Sequence, residues 1–182
     1  MAATSLSSKT KKLQNLVSVL RKAYPGVAFR AADTFYWAPE KLTVFYNPKS
    51  SQAHAHWSLL HELAHALLDH SDYTTDLELL LMEREAWEHA KTLEQKHSSE
   101  AFIDDEHVQD CLDTYRDWLH ARSSCPRCDQ VGLQHDRFTY KCINCQQAWH
   151  ISSARFKRPY RLCLGAKKET SPATEVDQVK FY

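Results

Sequence analysis

His61 and His65 stand four residues apart, with Glu62 beside the first, in the run His61-Glu62-Leu63-Ala64-His65. On an α-helix that spacing puts both imidazoles on one face, one turn apart, so both can reach a single ion. A metal held there lowers the pKa of a bound water toward about 7, and Glu62 is placed to take the proton. This HExxH pattern therefore points to metal-assisted hydrolysis. Its flanks are Trp57, Leu59, Leu60, Leu63, Ala64, Ala66, Leu67 and Leu68, which predict a largely buried helix. Two imidazoles and a carboxylate in such a place are costly without a metal or another partner.

A catalytic zinc takes three protein ligands and keeps one position open. His70, Glu83, Glu85 and His89 are the candidates downstream. At 100° per residue, Leu79, Leu80, Ala86, Trp87 and Ala90 all fall within about 60° of Glu83. Glu85 falls on the opposite, polar side with Glu78 and His89. A lone acid at the centre of an apolar stripe wants a cation, so Glu83 is the expected third ligand. A buried ion pair with an arginine is the alternative.

A second constellation is Cys125-Pro126-Arg127-Cys128 and Cys142-Ile143-Asn144-Cys145, with 13 residues between the pairs. Each CxxC presents two thiolates to one side, and two such knuckles close a tetrahedral zinc site of the ribbon type. Four thiolates leave no open position, so this zinc is structural and helps a small module fold. The expected cofactor content is two zinc ions per chain, one catalytic and one structural. Cys111 is expected as a core thiol on a helix, and Cys163 as a packing residue. Beyond the ribbon, Arg155, Lys157, Arg158 and Arg161 alternate with Phe156 and Tyr160. Cations with interleaved rings suit nucleic acid; a soluble basic edge strand or a protein-binding strand has the same composition.

The elements that must position these residues can be read from periodicity. Leu13, Leu16, Val17 and Leu20 predict a helix over 9–24, ended by Pro25-Gly26. Val27 to Arg30 predicts a short strand. Residues 34–37 and 42–46 form two β-rich runs around Ala38-Pro39-Glu40-Lys41, a hairpin signature. The HExxH helix is expected from about Ser50 or Ser51 to His70. Another is expected from Thr75, whose pairing with Glu78 reads as a capping box, to about Lys96. A third covers about 105–121. The expected fold is α+β: a small sheet or hairpin packed on the helices that carry HExxH and Glu83, plus a small β zinc ribbon. Domain boundaries are expected at 1–121 for the hydrolytic domain, 122–164 for the ribbon and 165–182 for a flexible tail.

At this point the chain resembles a known family. LLHELAHALLDH followed by EREAWEHA resembles the ImmA/IrrE-type metallopeptidases, which pair HExxH with a downstream ExEAxxxA helix. TFYWAPEKLTVFYNP resembles the strand that precedes the catalytic helix there. The resemblance covers roughly residues 10–95. It implies a gluzincin site, with His61, His65 and Glu83 on zinc and Glu62 as general base, and hydrolysis of peptide bonds, often in a repressor protein. The family usually carries Asn or Asp where this chain has Trp87, so Asp69 or Glu85 is expected to support a ligand instead. An extended substrate is expected along the 41–46 strand as an exposed edge. Tyr36, Tyr46, Tyr73, His54 and His56 are candidate oxyanion donors.

Charge refines the partner expectation. The net charge is zero, yet residues 1–120 carry 12 Lys/Arg against 18 Asp/Glu, and residues 121–182 carry 11 against 5. A basic C-terminal part suits an anionic partner such as DNA or a DNA-bound protein. No apolar run approaches the roughly 18 residues of a membrane span, and the N-terminus lacks a secretory h-region, so a cytoplasmic setting is expected. Two further readings compete. SprT-like proteases also join HExxH to a zinc ribbon but draw a third histidine from a segment absent here. A non-catalytic DNA- or protein-binding module has no need of an intact His61, Glu62, His65 and Glu83.

Overall fold

Residues 13, 17 and 20 of the first helix are buried together, as their spacing requires. The computed structural model describes residues 2–50, 52–97, 102–152 and 160–164. Its elements run α1 (Ala2–Ala23), β1 (Ala28–Ala31), β2 (Tyr36–Ala38), a 3-10 turn (Pro39–Lys41), β3 (Thr43–Tyr46), α2 (Ala55–Leu67), α3 (Asp76–His97), α4 (Asp105–Ser123), then β4 (Gly132–Asp136), β5 (Thr139–Cys142), β6 (Ala148–Ile151) and β7 (Arg161–Leu164). The chain forms two compact units, residues 1–121 and 122–182. Among the described residues, four helices and two small sheets make the fold α+β, as the residue patterns predicted.

In the first unit the sheet has the order β1-β3-β2. The predicted hairpin is present: β2 and β3 pair antiparallel, with Trp37 opposite Val44. β1 adds in parallel to the other side of β3, Phe29 opposite Val44. The 43–46 strand is therefore central, and the expectation that it offers an exposed edge is overturned. Hairpin signals are local, whereas β1 reaches β3 across the intervening β2 and its turn. The edges of this sheet are β1 and β2.

The HExxH helix is shorter than expected at both ends. Asn47 Oδ1 accepts the Lys49 N–H, and the Ser50 N–H donates to Asn47 O, so 47–50 form a turn before Ala55. α3 starts where its cap predicted. Thr75 Oγ1 accepts the Glu78 N–H, but the Glu78 carboxylate reaches one residue further back, to the N–H and hydroxyl of Thr74. Leu59, Leu60 and Leu63 of α2, fully buried, meet Ala86, Ala90 and Leu93 of α3 and Val44 of the sheet in one core. Each such leucine contributes about 1.5–3 kcal/mol of burial. A buried carboxylate ties the helices: Glu94 accepts from Trp57 Nε1 of α2 at 2.8 Å and from the Ile103 N–H ahead of α4.

The second unit is a four-stranded antiparallel sheet, β4-β5-β6-β7. Its centre is Cys125, Tyr140, Cys142, Trp149 and Ile151. Trp149 lies so close over Gly132 that a Cβ there would stand 2.2 Å from its ring. Its indole N–H donates to Arg122 O at 3.0 Å.

Candidate active site

α2 carries His61 and His65 on one buried face, and α3 brings Glu83, 3% exposed, against them. His61 Nε2 and His65 Nε2 are 3.1 Å apart. Glu83 Oε2 lies 3.2 Å from the first and 3.6 Å from the second. Ligands about 2.0–2.1 Å from a tetrahedral zinc are about 3.3 Å from one another. The three atoms thus outline one face of a zinc coordination tetrahedron, and the donor set fits the metal. Burial alone would raise the Glu83 carboxyl; hydrogen bonds and charge from His61 and His65 outweigh it and hold it well below the usual carboxylate range. Glu83 therefore stays ionised, as a ligand must.

The other candidate ligands do not join this group. Glu85 is exposed, and both it and His89 lie outside the three-residue cluster. His70 is buried, but it stands behind His65: the two Nδ1 atoms are 2.9 Å apart. Glu85 Oε2 lies 3.6 Å from His70 Nε2. Among the described residues Glu85 approaches the site through His70, and Asp69, the other supporting residue expected, is exposed. Burial and then the nearby His65 lower the His70 imidazole below its ordinary value, against the pull of Glu85.

Glu62 faces the cleft from the same helix. Its Oε2 accepts the Trp37 N–H of β2 at 2.8 Å. The edge strand beside the site is therefore β2. Trp87 stacks on the His61 ring with centroids 4.2 Å apart. His61 Nδ1, by contrast, is buried with no hydrogen-bond partner among the described residues.

A cleft of about 330 Å³ opens beside these groups. Asp33, Phe35, Ser58, His61, Glu62 and Trp87 line it, with Cys111, Thr114 and Tyr115 from α4. None of Tyr36, Tyr46, Tyr73, His54 and His56 lines it. Tyr115 does, a residue whose i, i+4 place in an apolar helix pattern carried no functional signal. Cys111 packs against the core as expected, half-buried, and also reaches the cleft wall, 3.6 Å from His107 Nε2. Burial, with Asp110 and Glu83, pushes its thiol up, so it stays protonated at neutral pH.

In the second unit the four knuckle cysteines come together. Sγ–Sγ distances are 3.6 Å for Cys125–Cys145 and Cys128–Cys142, and 3.5 Å for Cys128–Cys145. Thiolates about 2.3 Å from a tetrahedral zinc are about 3.8 Å apart, whereas a disulfide needs about 2.0 Å. The two knuckles share one backbone turn but differ in which N–H faces the first sulfur, the second residue on in one and the third in the other. Asp129 donates its N–H to Cys125 O and Gln146 its own to Cys142 O. Both carry left-handed backbone, φ 57° and 62°. Arg127 N–H and Cys145 N–H point at Cys125 Sγ and Cys142 Sγ, each at 3.4 Å. Arg155, Lys157 and Arg158 lie outside the described residues, as does the 165–182 tail. Arg161 is half-buried on β7 and donates to Ser124 O at 2.7 Å. Cys163 is half-buried on the same strand, opposite Trp149.

The model of the IrrE N-terminal-like domain, a peptidase family, matches residues 24–128. That span is more than half of the chain and holds β1 to α4, so the chain belongs to this family. No curated protein and no solved structure matches.

Proposed function

We propose that this member of the IrrE N-terminal-like peptidases is a zinc-dependent endopeptidase acting on a protein substrate, with His61, His65 and Glu83 as metal ligands and Glu62 as general base. The observation that carries the reading is the 3.1–3.6 Å triangle of His61 Nε2, His65 Nε2 and Glu83 Oε2, with Glu62 beside it. Zinc held there supplies Lewis acidity, lowering the pKa of a water toward about 7 and polarising a carbonyl. Glu62 takes the proton of the attacking water and returns it to the leaving amine. The Trp37 N–H fixes one Glu62 oxygen and leaves the other for that proton. An extended peptide lies along β2 in this scheme, with side chains reaching the cleft.

The four cysteines hold a second, structural zinc, and the ribbon recruits the substrate or sets the enzyme on DNA. Excess Lys and Arg beyond residue 120 support an anionic partner, and the scheme places the work in the cytoplasm. Among the described residues no helix is long and apolar enough to cross a membrane.

The test is to capture proteins on the Glu62→Gln chain in the cell and offer them to the wild type. The reading requires that a captured protein be cut by the wild type and not by the variant. Purified protein holding a single zinc, lost with Cys125→Ser, would refute it. A labelled DNA fragment whose retardation falls with salt and needs the basic segment supports the DNA partner.

A further inference from the structure

His70 is drawn into the site by the way α2 ends. The helix closes with a left-handed residue, Asp69 at φ 54°. The Asp69 N–H turns back to Ala66 O at 3.4 Å and the His70 N–H to His65 O at 3.0 Å. These are the two hydrogen bonds of a Schellman motif, which places the residue after the left-handed one against the residue three back from the helix end. An apolar contact normally joins those two positions; here they are His65 and His70. The His70 carbonyl is anchored in addition by the Trp37 indole N–H at 2.8 Å.

Two ring nitrogens 2.9 Å apart share one proton. His65 directs Nε2 at His61 and Glu83, so the metal reading requires its lone pair there and its proton on Nδ1. His70 must then accept at Nδ1 and carry its own proton on Nε2, on the side of Glu85. His61 has no such support: its Nδ1 is without a partner among the described residues, and Trp87 fixes its ring by stacking. We propose that His70 is a positioning residue for the metal site, holding His65 in the Nδ1–H tautomer and at the ring angle that points Nε2 at the ion. Glu85 fixes the tautomer of His70 in turn. The inference rests on the reading that His61, His65 and Glu83 bind zinc.

The experiment uses the full chain and zinc itself, titrated against a chromophoric chelator. The four-cysteine site serves as a reference within the same molecule. His70→Phe keeps the ring volume but cannot accept a hydrogen bond, whereas His70→Asn keeps an acceptor near the Nδ1 position. His70→Phe is expected to weaken the non-ribbon zinc by about 10–100-fold and leave the ribbon zinc unchanged. His70→Asn is expected to regain most of that loss. In the zinc-loaded wild type, nitrogen NMR of the histidines should show His65 protonated at Nδ1. A wild type that takes up only the ribbon zinc overturns the metal-site reading itself. Two zinc ions in the wild type, with His70→Phe within twofold of it, overturn the present proposal alone. So does a His70→Asn chain that unfolds at the wild-type temperature but binds as weakly as His70→Phe.

Discussion

The backbone N–H of Trp37 donates to Glu62 Oε2 across 2.8 Å, joining the edge strand β2 to the HExxH helix. The indole N–H of the same tryptophan donates to the His70 carbonyl. One residue of the sheet therefore braces Glu62, the proposed base, and the loop behind His65 together. A base must hold its geometry to within a fraction of an ångström, because small misplacements cost large factors in rate. A rigid strand rather than a mobile loop supplies that hold here.

Glu62→Gln keeps an oxygen for the Trp37 N–H but cannot take a proton. It is expected to retain two zinc ions per chain and the wild-type unfolding temperature. Its cleavage rate should fall by at least the roughly 10²–10⁴-fold that general base catalysis contributes. Metal analysis beside a cleavage assay reads both; substantial residual cutting by the variant would remove Glu62 from the role.

Glu83→Ala and His89→Ala separate the two possible third ligands. Without Glu83 the His61–His65 pair loses its anionic partner, and zinc content is expected to drop from two to one. His89→Ala should leave it at two. The opposite pattern would favour a three-histidine site.

Asp69 occupies left-handed backbone that suits glycine better. Asp69→Gly is expected to be neutral or to stabilise by up to roughly 0.5 kcal/mol, with zinc binding unchanged. A β-branched residue cannot sit there without strain. Asp69→Val is expected to lose about 1–2 kcal/mol and, by displacing His70, to weaken the non-ribbon zinc. Thermal unfolding with zinc titration checks both halves.

Gly132→Ala puts a methyl group within 2.2 Å of the Trp149 ring. Overpacking of this kind costs about 1–3 kcal/mol. The four-cysteine zinc is expected to leave faster to a chelator, while zinc held by His61 and His65 is released at the wild-type rate. Equal acceleration of both would show the two sites to be coupled.

What the sequence determined by itself was set by short-range geometry. A four-residue spacing on a helix places His61 with His65, the apolar stripe around Glu83 singles out that acid, and the CxxC spacing builds each knuckle. Secondary structure followed for the same reason, since helix and hairpin periods are local. Tertiary structure decided what depends on residues meeting across the chain. β1 made β3 a central strand because parallel partners need not be neighbours in sequence. The left-handed turn at Asp69, an aspartate where glycine is the usual signal, brought His70 behind His65 and turned a candidate ligand into a support. Tyr115 and Cys111 belong to the apolar stripe of α4, but that this stripe forms a cleft wall was decided by the packing of Val108 and Leu112 into the same core as α2 and α3.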